Sequence, residues 1–174
     1  MSRYEYDGDE SAMPYGLWRS NVDRALKGKR GRQALRDLRD ALQALPEPRL
    51  IEGALCTVSP EKRPVRYLAD EQLGGVCAIG AYLWHQKVKA GMDPAEAFDS
   101  LPTLPDDDSE LHDTAKLAES EARMTYTLAW ELAYMNDEKW GRKSPEERHA
   151  AFLAWLDAEL AEPAGRKATE RKAG

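Results

Sequence analysis

Cysteine is scarce in this chain, and the little there is lacks metal-binding spacing. Only Cys56 and Cys77 occur in 174 residues, with no Cys-x-x-Cys pair and no histidine at ligand spacing. This predicts two reduced, buried thiols rather than a disulfide framework or a zinc site. Long apolar runs are missing as well. No stretch of 18 apolar residues appears, and Met1 to Asp7 is polar and acidic. Neither a membrane span nor a signal peptide is expected, and the predicted location is cytoplasmic.

Catalytic signatures are equally thin. His85, His112 and His149 fall on three separate predicted helices, and none stands in His-x-x-Glu or His-Glu-x-x-His spacing. No serine or cysteine occupies a nucleophile elbow. The segment Lys27-Gly28-Lys29-Arg30-Gly31-Arg32 has two glycines and four cations but lacks the Gly-Lys-Ser/Thr ending of a phosphate-binding loop. Cys77, at a helix start, has a dipole-stabilised thiolate as one reading and simple packing as the better one. The expectation is a non-enzymatic protein with no cofactor and no metal. A small enzyme with an unrecognised site is an alternative.

What the chain does have is helical periodicity. With 42% hydrophobic and 32% charged residues it has the composition of a folded domain. Its length suits one domain. Residues 1–14 lack apolar periodicity and are read as a loose N-terminal segment, 15–161 as one helical domain, and 162–174 as a disordered tail. Leu17, Trp18, Val22, Ala25 and Leu26 recur at helical steps, and so do Leu35, Leu38, Leu42 and Leu45, which Pro46 and Pro48 end. Arg49 to Val58 is the best strand candidate, paired with Val65–Leu68 across a turn as a hairpin near 49–68. Gly74-Gly75 leads into Val76–Trp84, a small-residue run read as the central buried helix and ended by Gly91. Asp93-Pro94 starts a short helix. Leu111 onward reads as one long helix, with Met124, Leu128, Leu132 and Met135 on one stripe and Tyr126, Trp130 and Tyr134 on another. Ser144-Pro145-Glu146-Glu147 is a capping box, opening a last helix that buries Phe152, Leu153, Leu156 and Leu160. The predicted fold is mainly α: a compact bundle of five or six helices with that one small hairpin.

Charge is unevenly distributed along this pattern. The net charge is −6, yet 24–49 carries eight Lys/Arg against three acids, and 93–121 carries ten acids against Lys116 alone. In the basic half, Lys27, Lys29, Arg30, Arg32, Arg36 and Arg39 are candidates for a nucleic-acid or anion contact, with Arg32, Arg36 and Arg39 at i, i+4 and i+7. The bland reading is a solvated loop and helix face. In the acidic half, Asp106, Asp107, Asp108 and Glu110 form a candidate partner-binding patch. They lack the spacing of a calcium loop, and an acidic lead-in to a helix is the structural alternative. Asn136-Asp137-Glu138, at a helix end that disfavours acids, is read as hydrogen-bonding the following loop or touching a partner.

Three sets of blocks occur together: Leu26–Gly31 with Leu45–Ile51, then Gly74–Ala81, then Asn136-Asp137-Glu138 with Ser144–Arg148 and Trp155. Over about residues 17–161 they resemble a family of small proteins from actinobacterial phages and their hosts' mobile elements, apart from a longer Cys56–Leu73 insertion. The resemblance carries no active site. It implies an intracellular accessory protein of phage or mobile-element type. The separation of a basic helix pair from an acidic middle, in a chain without catalytic motifs, points to a binding or regulatory protein whose macromolecular partner is a host protein engaged through charged surfaces. Nucleic acid is the alternative partner, no membrane is implied, and the oligomeric state is open.

Overall fold

The Leu35, Leu38 and Leu42 stripe lies on the second of seven α-helices that the computed structural model describes within residues 15–51, 75–102, 110–122 and 124–161. These are α1 (Tyr15–Lys27), α2 (Lys29–Ala44), α3 (Ala78–Lys89), α4 (Pro94–Asp99), α5 (Glu110–Ala122), α6 (Tyr126–Tyr134) and α7 (Pro145–Ala161), with one π-helical turn at Met135–Lys139. The three leucines of α2 are fully buried. Each contributes about 1.5–3 kcal/mol by leaving water. The loose N-terminal segment and the disordered tail expected at 1–14 and 162–174 lie outside the described residues.

α3 is the central helix, as its small residues predict. Ala78 to Trp84 are all buried, and the helix packs on α2, α4, α5 and α6. With no bulky side chain at Ala78, Gly80 or Ala81, neighbouring helices approach closely. α3 ends at Lys89 with Ala90 as its C-cap, and Gly91 turns the chain with a φ of +96°, a conformation L side chains rarely adopt. Asp93 caps α4 through its side chain, which accepts from the N–H of Ala95 at 2.9 Å and of Glu96 at 3.3 Å.

The expected single long helix is two. α5 ends at Ala122, Thr125 is extended, and α6 begins at Tyr126 and packs back against α5. Six consecutive residues of α6, Leu128 to Ala133, are buried. This is why two apolar stripes appeared: the segment is covered on opposite sides by α1, α3 and α5. The break sits where β-branched Thr125 supplies an extended N-cap position in place of another helical turn.

The end of α6 widens into the π turn, where the N–H of Trp140 reaches the carbonyl of Met135 at 3.1 Å. The turn buries Asn136 completely. Its Oδ1 accepts from the N–H of Ala78 at 3.2 Å, and its Nδ2 donates to the carbonyl of Ile51 at 2.7 Å and to Asp137 Oδ1 at 2.6 Å. One amide therefore ties the chain before residue 52 to the first turn of α3.

The hairpin expected near 49–68 is not found among the described residues, which hold no strand longer than a single bridge. Ile51 instead pairs with the far side of the gap, its N–H donating to the carbonyl of Val76 at 3.1 Å. Leu50 donates to the carbonyl of Pro145 at 3.0 Å. The proposed partner run Val65–Leu68 lies outside the described residues. Residues 52–58 of the expected first strand also lie outside the described residues.

α7 starts as the capping box requires: Glu147 N–H donates to Ser144 Oγ at 3.2 Å, and Ser144 N–H donates to Glu147 Oε2 at 3.0 Å. Phe152 and Leu156 are fully buried, with Leu153 and Leu160 packed at the edge of the core. Phe152 meets Trp140 edge-on, with ring centroids 4.7 Å apart.

Candidate interaction surface

Each of the six candidate cations sits at or after the end of α1 or on α2, and the structure divides them. Arg32 is half-buried, donating to the carbonyls of Glu159 and, at 2.7 Å, Leu160. These are among the last carbonyls of α7, which have no partner within the helix and carry the negative end of its dipole. Arg32 thus acts as a C-terminal cap for another helix. Arg39 lies 3.7 Å from Asp157 of α7 and 3.8 Å from Asp40. The i, i+4, i+7 spacing is therefore real, but two of the three arginines turn toward α7. Only Arg36 is exposed, with its Nη2 donating to Gln33 Oε1 at 2.9 Å.

Lys27, Lys29 and Arg30 make no ion pair with any described residue. Lys29 and Arg30 are exposed and Lys27 is half-exposed. Exposed Arg24 joins them on the last turn of α1, its Nη1 donating to Asn21 Oδ1 at 3.4 Å. These cations share the corner where α1 meets α2. Gly28, the only residue between the helices, offers no side-chain cap, so the positive end of the α2 dipole adds to the same potential.

The two glycines do not both open the turn. Gly31 is inside α2 and buried. A Cβ there would lie 1.7 Å from the carbonyl oxygen of Ala25. Only glycine lets α2 cross α1 so closely, and that crossing fixes the corner. Gly28 N–H is likewise engaged, donating to the carbonyl of Arg24 at 3.0 Å.

The acidic candidates cannot be placed in the same way. Asp106, Asp107 and Asp108 lie outside the described residues, and Glu110 enters only as the first residue of α5. Cys56 is also outside. Cys77 is buried and caps α3, its Sγ accepting from the N–H of Gly80 at 3.4 Å.

A second charged grouping lines the seam between α2 and α3. Asp37 Oδ1 accepts from Gln33 Nε2 at 3.2 Å and from Lys89 Nζ at 3.3 Å. Burial pushes the Tyr82 phenol up to about 12, helped by the Asp37 carboxylate, so it stays neutral. Burial and Lys89 hold His85 below its ordinary value, against the opposing pull of Asp40 and Asp37. These groups join two helices.

Two buried polar residues escaped the sequence reading of the core. Arg148 is 3% exposed, and its guanidinium donates to the carbonyls of Leu50 (2.7 Å), Gly141 (2.9 Å), Lys143 (3.2 Å) and Trp140 (3.4 Å). His149 places Nε2 3.0 Å from the carbonyl of Leu42, joining α7 to α2. The available signal was register: Arg148 stands four residues before Phe152, inside the apolar stripe. Asn136 does hydrogen-bond, yet apart from its neighbour Asp137 it bonds Ala78 and Ile51 rather than the loop that follows it.

Among the described residues no group of three or more His, Cys, Asp or Glu is placed to hold a metal ion. No described helix is long and apolar enough to cross a membrane. Comparison with protein-family models, curated proteins and solved structures finds no match to this chain.

Proposed function

We propose that this is a non-enzymatic binding protein that engages a macromolecular partner, a host protein first of all, through its charged surface. The observation that carries the reading is the division of the basic residues. Arg32 and Arg39 are committed to α7, while Arg24, Lys27, Lys29 and Arg30 stand together at the α1–α2 corner with no ion pair to a described carboxylate, Asp23 being the acid next to them in sequence. A fixed cluster of like charges costs stability through self-repulsion unless something answers it. The polar interior supports the non-enzymatic part. Asn136, Arg148 and His149 all engage backbone groups, which is the work of holding a fold. An accessory role in a phage or mobile element, and a cytoplasmic setting, remain part of this proposal on the sequence resemblance.

A nucleic acid is the second reading, because the same corner would suit phosphates. Capture of a partner from host lysate, followed by reconstitution from purified components, tests the first. Failure of every captured protein to reconstitute, together with tight and steeply salt-dependent DNA binding, would replace it with the second.

A further inference from the structure

We propose that the α1–α2 corner, formed by Arg24, Lys27, Lys29 and Arg30, is a docking surface for a short acidic segment of a protein partner. This rests on the reading of the chain as a binding protein and names the chemistry of the surface.

Size favours a short segment. The four cations lie within seven consecutive residues at one end of two helices. A DNA duplex presents one charge about every 1.7 Å along its axis and calls for a longer cationic track. Arg32 and Arg39, which would extend the track along α2, face α7 instead. The outer face of α2 continues as Gln33, Arg36, Asp40 and Gln43, with Asp40 51% exposed, so the positive potential fades away from the corner. The chain as a whole is at −6, so its net field disfavours a long polyanion.

Among the described residues the corner also lacks a platform for bases. Single-stranded nucleic acids gain affinity by stacking bases on aromatic side chains. Leu17 and Met92 are the only large apolar side chains exposed among the described residues, and Trp18, the nearest indole in sequence, packs edge-on against Trp130 at 6.4 Å. What remains is a compact set of donors matched to a few carboxylates, with the Arg30 and Arg24 guanidiniums able to take one bidentately. Gly31 keeps the set rigid, so little ordering is needed on binding.

Fluorescence anisotropy with the full chain distinguishes the occupants, using labelled oligoglutamate, oligothymidylate and a mixed-sequence duplex at low salt. The expected result is that oligoglutamate binds best and that the combined variant Lys27→Glu, Lys29→Glu, Arg30→Glu weakens it about tenfold or more. Arg36→Glu, on the outer face of α2, should change it less than about threefold. All four side chains are at least partly exposed, and circular dichroism verifies that the variants fold. Absence of oligoglutamate binding, or binding indifferent to the triple change, overturns the proposal. So does tighter binding of either DNA with a log–log salt slope of about −3 for the single strand or about −3.6 for the duplex, the values expected for four neutralised phosphates. If the triple variant still captures and reconstitutes the wild-type partner, this surface is wrong while the binding reading stands.

Discussion

Replacing Arg148 with Met keeps the apolar stem and removes the guanidinium from four carbonyls. Those of Gly141 and Lys143 belong to an exposed corner and can be taken over by water. Those of Leu50 and Trp140 are bonded by buried guanidinium nitrogens at 2.7 and 3.4 Å. A hydrogen bond to a charged group contributes about 1.5–3 kcal/mol, and a buried acceptor left without one carries its full desolvation cost. The loss should be about 3–5 kcal/mol, a large part of the roughly 5–15 kcal/mol that holds a domain folded. At about 2–4 °C per kcal/mol for this chain length, Tm should drop by about 6–20 °C. Arg148→Lys, with no planar fork, should recover at most half of it. Thermal melts followed by circular dichroism give the number, and hydrogen exchange gives the place. The amides of Leu50 and Ile51, which bond to Pro145 and Val76, should lose protection first. A Met variant melting within about 3 °C of wild type would refute the idea that this guanidinium fastens the α7 entrance to the segment at Leu50.

Gly31→Ala should cost about 1–3 kcal/mol by forcing α2 off the Ala25 carbonyl, whereas Gly16→Ala, with nothing within 4 Å, should be neutral or mildly stabilising; urea melts compare the two. Ser144→Ala should remove about 1 kcal/mol by breaking the α7 cap, read as a Tm about 2–4 °C lower. His85 holds its proton less readily when folded than in the unfolded chain. The unfolded state therefore binds more protons below the ordinary value of 6.5, so its contribution is intact above 6.5 and declines as pH falls toward the depressed folded value. Melts across about pH 5–8 should show a shallower decline for His85→Gln than for wild type, and an identical slope would place the titration elsewhere.

The helices were legible because each carries its own signal. The leucine stripe of α2, the small-residue run of α3, the Asp93 cap and the Ser144–Glu147 box all act within a few residues of themselves. The break between α5 and α6 was not legible, because apolar residues on two sides of a helix look the same whether the helix continues or folds back. The pairing of Ile51 with Val76 was hidden for a related reason. Most of the expected hairpin falls outside the described residues, while Val76 and the Asn136 amide, both of which bond Ile51, come from segments that no local pattern names. The basic set shows the limit for surfaces. Spacing put Arg32, Arg36 and Arg39 on one face, but only the position of α7 reveals that two of them serve it.

The most direct test of the account is the affinity of wild type and of the Lys27→Glu, Lys29→Glu, Arg30→Glu variant for a purified protein partner, first captured from host lysate, over a range of salt. Exposed charge contacts weaken as salt shortens their range to about 10 Å at 0.1 M. The account predicts that wild-type affinity falls with salt and that the variant, folded like wild type, has lost at least about tenfold at low salt, a difference that closes as salt rises. Equal affinities and equal salt dependence for the two proteins would contradict it.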